Sequence, residues 1–257
     1  MTDSPMYSAP VTAAEKPIVE RLVNVRDKLL LLKADKSTYV KSQDVLPLYE
    51  EVIEAVHGLN DARGADHLVQ NRADSILDDC LQLCSLFFMA IGRNNEAPAL
   101  YSITSNITRL CDHLKECAFY STKDLDSLEN TVAGMRRTLE KDAEKYSPYL
   151  MTRIKYRIEL CEKLLGELRD FLSTLAPEMV PTWEKLVSLL RALAAINTRS
   201  RYVQKDLDEL RGQLLELKST MQDGKLPGEQ GHIVEGQSLV VPLLERCLKF
   251  ADIVEEW

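Results

Sequence analysis

Residues 17–25 read PIVERLVNV and residues 181–189 read PTWEKLVSL, an echo 164 positions apart. The correspondence continues downstream. Tyr39-Val40 is answered by Tyr202-Val203, and Val52, Val56 and Leu59 are answered by Leu210, Leu214 and Leu217. Ile76-Leu77-Asp78-Asp79-Cys80-Leu81 is answered by Leu243-Leu244-Glu245-Arg246-Cys247-Leu248. One unit therefore occurs twice, and a repeated unit stacks on neighbours to bury a face that it cannot bury alone.

Working outward from the echo, the apolar periodicity is helical almost everywhere. Pro17 opens a first helix, where its missing N–H costs nothing, and Ser42 caps a second with Val45, Leu48, Val52, Val56 and Leu59 on one stripe. A turn over 61–66 precedes a third helix over about 71–92, apolar on several faces and so placed in the middle of a pack. Pro98 restarts the chain, Ser121 or Thr122 caps the next helix, and Ser147-Pro148 opens a long one over 149–175. Two helices of the second copy follow, then a Gly-bearing loop over 223–236 and a last helix from about 238 to 257. The fold class is all-α: about nine antiparallel helices in an elongated bundle, two related three-helix units flanking a three-helix insert. The organisation is a loose tail over 1–15, a first unit over 16–93, an insert over 94–176 and a second unit over 177–257, in one continuous domain. Burying one leucine contributes roughly 1.5–3 kcal/mol, so a charge at Leu110, Leu165 or Leu214 is expected to unfold a segment.

Composition narrows the function classes. Apolar residues make up 45% of the 257 positions, which excludes wholesale disorder. The net charge of −8 argues against general nucleic-acid binding, which rests on clustered lysine and arginine. The start of the chain lacks a basic segment followed by an apolar run, so it does not read as a signal peptide. The greasiest stretch, 76–91, is too short to span a bilayer and carries Asp78 and Asp79. Six cysteines at irregular spacing inside helical patterns suit reduced thiols. Asn106-Ile107-Thr108 matches a glycosylation sequon but lies mid-helix.

Three features of the sequence are candidate sites. The loop around Gly224 and Lys225 could form a backbone nest for an anion, although no Walker-type Gly-Lys-Ser/Thr is present. Arg136 and Arg137 on one helix with Arg153, Lys155 and Arg157 on the next, and Arg199 with Arg201 around Ser200, concentrate positive charge that could meet phosphate. Cys80, Cys84, Cys111, His113 and Cys117 contain zinc-ligand types, but without a C-x-x-C pair they read as buried thiols, and neither metal nor cofactor is expected. No G-x-S-x-G, H-E-x-x-H or G-x-G-x-x-G occurs, so no catalytic residue is assigned and the chain does not read as an enzyme. Trp183 and Trp257 read as packing residues.

The runs SQDVLPLY at 42–49, LFFMAIGRNNEAP at 86–98, AFYSTKDL at 118–125, DGK at 223–225, EGQ at 235–237 and LLERC at 243–247 carry a resemblance. They resemble an uncharacterised fungal family built on a repeated domain of unknown function (uncharacterised protein family 0662), from about Pro17 onward. The resemblance implies a fungal intracellular protein of cytoplasm and nucleus, with no catalytic or binding residue to carry over. It also implies longer relatives, so that a chain stopping at Trp257 is a shorter form or a fragment whose last helix has an exposed apolar face. Gly64-Ala65-Asp66 in the first copy departs from the DGK pattern. The leading expectation is a non-enzymatic helical scaffold or adaptor that binds protein partners. The rival is a binder of a small anion or an anionic lipid headgroup, using the basic helix face and the Gly-bearing loop; peripheral membrane contact fits that rival, a transmembrane segment fits neither.

Overall fold

Leu22, Val25 and Leu29 are each wholly buried, and 164 positions on Leu186, Leu189 and Leu193 are buried too. The computed structural model, which describes residues 9–141, 144–198, 204–227, 233 and 237–255, thus gives the echoed stretches the same inward stripe. Among the described residues it contains nine α-helices and no strand. They are α1 Lys16–Ala34, α2 Ser42–Arg63, α3 Arg72–Ala90, α4 Ala97–Cys117, α5 Thr122–Lys141, α6 Pro148–Ser173, α7 Val180–Asn197, α8 Gln204–Ser219 and α9 Val240–Glu255.

The repetition extends to packing. α1, α2 and α3 each touch the other two, as do α7, α8 and α9, and in both triads the first helix packs most extensively on the third. One hydrogen bond marks the shared register in each copy. The Cys80 thiol donates to the Leu22 carbonyl at 3.5 Å, and the Cys247 thiol donates to the Leu186 carbonyl at 3.7 Å. Both donors and both acceptors are the pairs that the sequence echo aligns. By internal contacts the chain divides into two compact units, Met1–His113 with Leu128–Leu165, and Leu114–Ser127 with Gly166–Trp257. Each holds one triad, and α4, α5 and α6 contribute residues to both.

Local chemistry explains the helix boundaries. α3 starts at a capping box: the Asn71 side chain accepts from Ala73 N–H at 2.9 Å, and Asp74 accepts from Asn71 N–H at 2.9 Å. α5 starts on another, with Ser121 N–H donating to Asp124 at 2.7 Å and Asp124 N–H to Ser121 Oγ at 3.2 Å. For α2 the expected cap was Ser42. Ser42 is instead the first helical residue, and Asp44 reaches back to accept from Lys41 N–H at 3.0 Å, because a carboxylate three residues on suits the orphan donor. The turn expected over 61–66 is partly helical: α2 runs to Arg63, and only Gly64–Asp66 leave it as a 3-10 turn.

The predicted seams are otherwise occupied as read, except on α4 and at Leu86, where α3 has an open side with Leu86 47% exposed. Leu165 and Leu214 are buried, but Leu110 is 40% exposed, as is Ile103 at 37%. The buried stripe of α4 passes through Tyr101, Thr104, Thr108 and Cys111 instead. The threonines can face inward because their hydroxyls bond the preceding turn, Thr108 to the Thr104 carbonyl at 2.9 Å. A charge at Leu110 is therefore expected to leave the segment folded, unlike one at Leu165 or Leu214.

The first unit also buries an ionic cluster where α1, α2 and α3 meet. Arg63 donates to Glu15 at 2.7 Å and, through both terminal nitrogens, to Asp74 at 2.8 and 3.1 Å. Asn71 donates to Glu15 at 2.9 Å, and Arg153 of α6 closes on the other side of Asp74 while donating to the His67 carbonyl at 3.3 Å. Burial alone would raise the Asp74 carboxyl, but the guanidinium groups of Arg153 and Arg63 hold it down at about 2.

Candidate functional site

α4 ends at Cys117, and Ala118 takes a left-handed conformation at φ 52°, with its N–H returned to the Leu114 carbonyl at 2.9 Å. Glycine is the ordinary residue for such a C-terminal stop. An alanine here carries backbone strain, which concentrates where a particular side chain must be aimed. What this bend aims is the pair Phe119 and Tyr120. Tyr120 turns inward, donating to the Leu168 carbonyl at 2.9 Å and accepting at its own carbonyl from Trp183 Nε1 at 2.7 Å. Phe119 turns the other way and is half-buried.

Over Phe119 lies the guanidinium of Arg246, 5.1 Å from the ring centre, which also donates to the Cys117 carbonyl at 2.6 Å. A cation held over an aromatic face contributes about 0.5–1 kcal/mol at an exposed site, so Phe119 and Arg246 brace each other. Between them and α7 runs a groove of ≈ 460 Å³. Leu190 and Ala194 of α7 form one wall, Pro242, Phe250 and Ile253 of α9 the other, and Glu245 and Lys249 stand at the rim. Ile253 is 48% exposed, which is unusual for a residue aligned with its neighbours on an apolar stripe. The size lies within the range of ligand and peptide clefts. Its lining is apolar with charges at the margin, an arrangement that suits an apolar side of a helix or extended segment rather than a reacting group.

The sequence-based candidates are distributed differently. Arg153 and Arg157 point inward from α6, at 1% and 2% exposure, because their four-residue spacing puts them on its buried side. Arg157 donates to Ser105 Oγ at 3.0 Å and lies over the Tyr101 ring. Lys155, between them, faces solvent. Arg136 is held by both carboxylate oxygens of Glu162, at 2.8 Å each, and Arg137 is exposed with its Nε on the Ala133 carbonyl. The five are thus not gathered on one face. Gly224, at φ 75°, and Lys225 belong to a tight turn with Asp223, at φ 48°. Gln222 and Lys225 exchange two backbone bonds of 2.8 and 2.9 Å, the pattern of an Asp-Gly hairpin turn, which already uses both of those N–H groups. Arg199, Arg201 and Trp257, with residues 228–232 and 234–236 of the loop, lie outside the described residues.

No group of three or more histidine, cysteine or acidic side chains is placed to hold a metal among the described residues. Cys80, Cys84, Cys161 and Cys247 are buried, and burial pushes the thiols up, Cys84 to about 12 and Cys247 to about 11. No helix of the described residues is long and apolar enough to cross a membrane. Sequence reasoning missed Phe119, Phe250 and Ile253. The available signal was an aromatic pair stranded between two helices and an extra apolar stripe on α9 beyond the one that meets α7.

Comparison with known proteins places these features. Residues 172–257, which carry all of α7, α8 and α9, match the family described as a protein of unknown function (DUF2408). The chain is 29% identical over 246 residues to a CUB1 family protein of Schizosaccharomyces pombe, covering 95% of this chain and 54% of the relative. It is 26% identical over 312 residues to a Saccharomyces cerevisiae protein called Cu(2+) suppressing and bleomycin sensitive protein 1, covering 92% of this chain and 57% of the relative. The chain thus spans about half the length of the curated relatives it matches. No solved structure matches it. The resemblance carried by the residues is borne out: the chain is similar along nearly its whole length to fungal proteins, and its second copy matches a domain of unknown function.

Proposed function

We propose that the protein is a non-enzymatic helical scaffold that binds protein partners inside the cell, in cytoplasm and nucleus. The observation that carries this reading is the groove between α7 and α9, with apolar walls, charged margins and a braced aromatic at one end. An apolar cleft of this kind gains affinity by taking side chains out of water, at roughly 25 cal/mol for each Å². Its margin residues then select among partners. The buried placement of Arg153 and Arg157 and the Glu162 clamp on Arg136 weigh against these three as anion contacts in the rival role, whereas Arg137, Lys155 and Lys225 are exposed.

The experiment is affinity capture of the full chain and of its Ile253→Asp variant from fungal cells, with quantitative mass spectrometry. Ile253 is exposed, so the variant keeps its fold, which circular dichroism verifies. A reproducible set of partners lost from the variant supports the groove. Equal recovery with both chains overturns it.

A further inference from the structure

We infer that the outer face formed by α8 and α9 is a docking surface for an amphipathic helix of a partner protein, one that places an arginine or lysine against Glu245. This deepens the scaffold reading and concerns the side of α9 that carries Val241 and Leu248, which meets the groove at one edge, where Glu245 belongs to both. The duplication supplies the argument, because the first copy displays what covers the same face.

In the first copy that face is made by α2 and α3, and two amphipathic helices lie on it. Tyr149 of α6 stacks on His57 at 3.9 Å between ring centres, and its carbonyl accepts from Asn60 at 3.0 Å. One turn further along α6, Arg153 meets Asp74. Arg109 of α4 donates to Asp78 at 2.5 Å, which leaves that carboxylate 1% exposed. Leu81, beside it, is fully buried.

The shared register carries each of these positions into the second copy. Leu215 stands where His57 does and is 49% exposed. Lys218 replaces Asn60 and is exposed, and Val241 replaces Asp74 and is half-buried. Glu245 replaces Asp78, and it is exposed with no ion pair among the described residues. Leu248 replaces Leu81 and is half-buried. The face thus keeps an acid at the position that binds arginine in the first copy, with Leu215, Val241 and Leu248 in place of three other positions and Lys218 in place of Asn60. An uncompensated acid among half-exposed leucine and valine suits a helix that brings both a cation and an apolar stripe. It does not suit an anionic lipid surface or a nucleic acid.

The probe is the chain's own cover helix: a fluorescent, hydrocarbon-stapled peptide of residues 97–117 with serine for both cysteines, read by anisotropy against the full chain. Saturable binding is expected, weakened about tenfold or more by Glu245→Arg, the loss of about 1.4 kcal/mol that a charge reversal readily exceeds. A peptide with Arg109→Glu should recover binding to the Glu245→Arg chain, and Leu248→Asp, at the place of the covered Leu81, should abolish it. Glu245 and Ile253 are exposed and Leu248 is half-buried, and circular dichroism checks that each variant folds. Absence of saturable binding, or binding indifferent to Glu245→Arg and Leu248→Asp, overturns the inference. Binding lost with Ile253→Asp but kept with Leu248→Asp puts the helix in the groove, which overturns the inference and leaves the scaffold reading standing.

Discussion

The two copies solve the same junction in opposite ways. Where the first helix of each triad begins, the first copy has Glu15 and the second has Met179, each the residue preceding the helix and each at most 1% exposed. Arg63 is matched by Met221 and Asp74 by Val241. The second copy thus has apolar residues at all three places, and the loop before α9 buries Leu226, 2% exposed, whose N–H donates to Gln237 Oε1 at 2.6 Å while Gln237 donates to its carbonyl. One helical frame thus accepts either a buried ionic cluster or an apolar plug with one amide. Buried ion pairs seldom add net stability over an apolar replacement, but they penalise every arrangement that leaves a charge unpaired. The cluster therefore specifies how α6 seats on the first triad, through Arg153, whereas the plug specifies nothing beyond its own closure.

The largest expected effect comes from leaving the cluster half-made. Asp74→Leu strands Arg63 and Arg153, and should lower stability to urea by about 3–5 kcal/mol. Converting the whole junction to the solution of the second copy should undo this. A chain with Glu15→Met, Arg63→Met, Asp74→Val and Arg153→Leu is expected to unfold no earlier than the wild type. Summed single losses in that chain would break the comparison.

Acid should separate the copies next. The carboxyls of Asp74 and Glu15 are held below their ordinary values, Asp74 at about 2, so the stability they give is present above about pH 4 and lost as pH falls toward 2. The loss is on the order of 2 kcal/mol from Asp74. Burial raises Asp78, which works in the opposite sense and gains stability on acidification, so the net loss is smaller. Amide cross-peaks of α3 should therefore shift or broaden between pH 4 and 2 ahead of those of α9, and simultaneous loss would count against the distinction. The smallest effect concerns helix stops. The first copy ends α3 on Gly92 at φ 67°, while α4 ends on Ala118 at φ 52°. Gly92→Ala should cost about 1 kcal/mol and Ala118→Gly should return a similar amount, with the latter also weakening capture through the groove if the bend aims Phe119.

Helix positions and the duplication were legible in the sequence because apolar spacing and proline placement are local signals. The junction cluster was not. In the sequence Glu15 reads as the last residue of a loose tail, and nothing near it points to Arg63, 48 residues away. Arg153 and Arg157 read as surface cations in the sequence, because a buried arginine is recognisable only once its carboxylate or ring partner on another helix is known. The groove was illegible for a related reason. Its walls are ordinary apolar positions on α7 and α9, and only their exposure after folding separates them from core. Gly224, by contrast, drew attention through its residue type, and the structure gives that glycine a turn to make.

The matched cysteines have one more consequence. Each copy carries a thiol bonded to the corresponding carbonyl of its own first helix, and burial raises both, so neither forms thiolate near neutral pH while its triad is closed. Alkylation at Cys80 then waits on opening of the first triad, and alkylation at Cys247 on opening of the second. Nature has placed a clock of the same design in each half, and reading the two rates by peptide mass gives the opening free energy of either copy without touching the other.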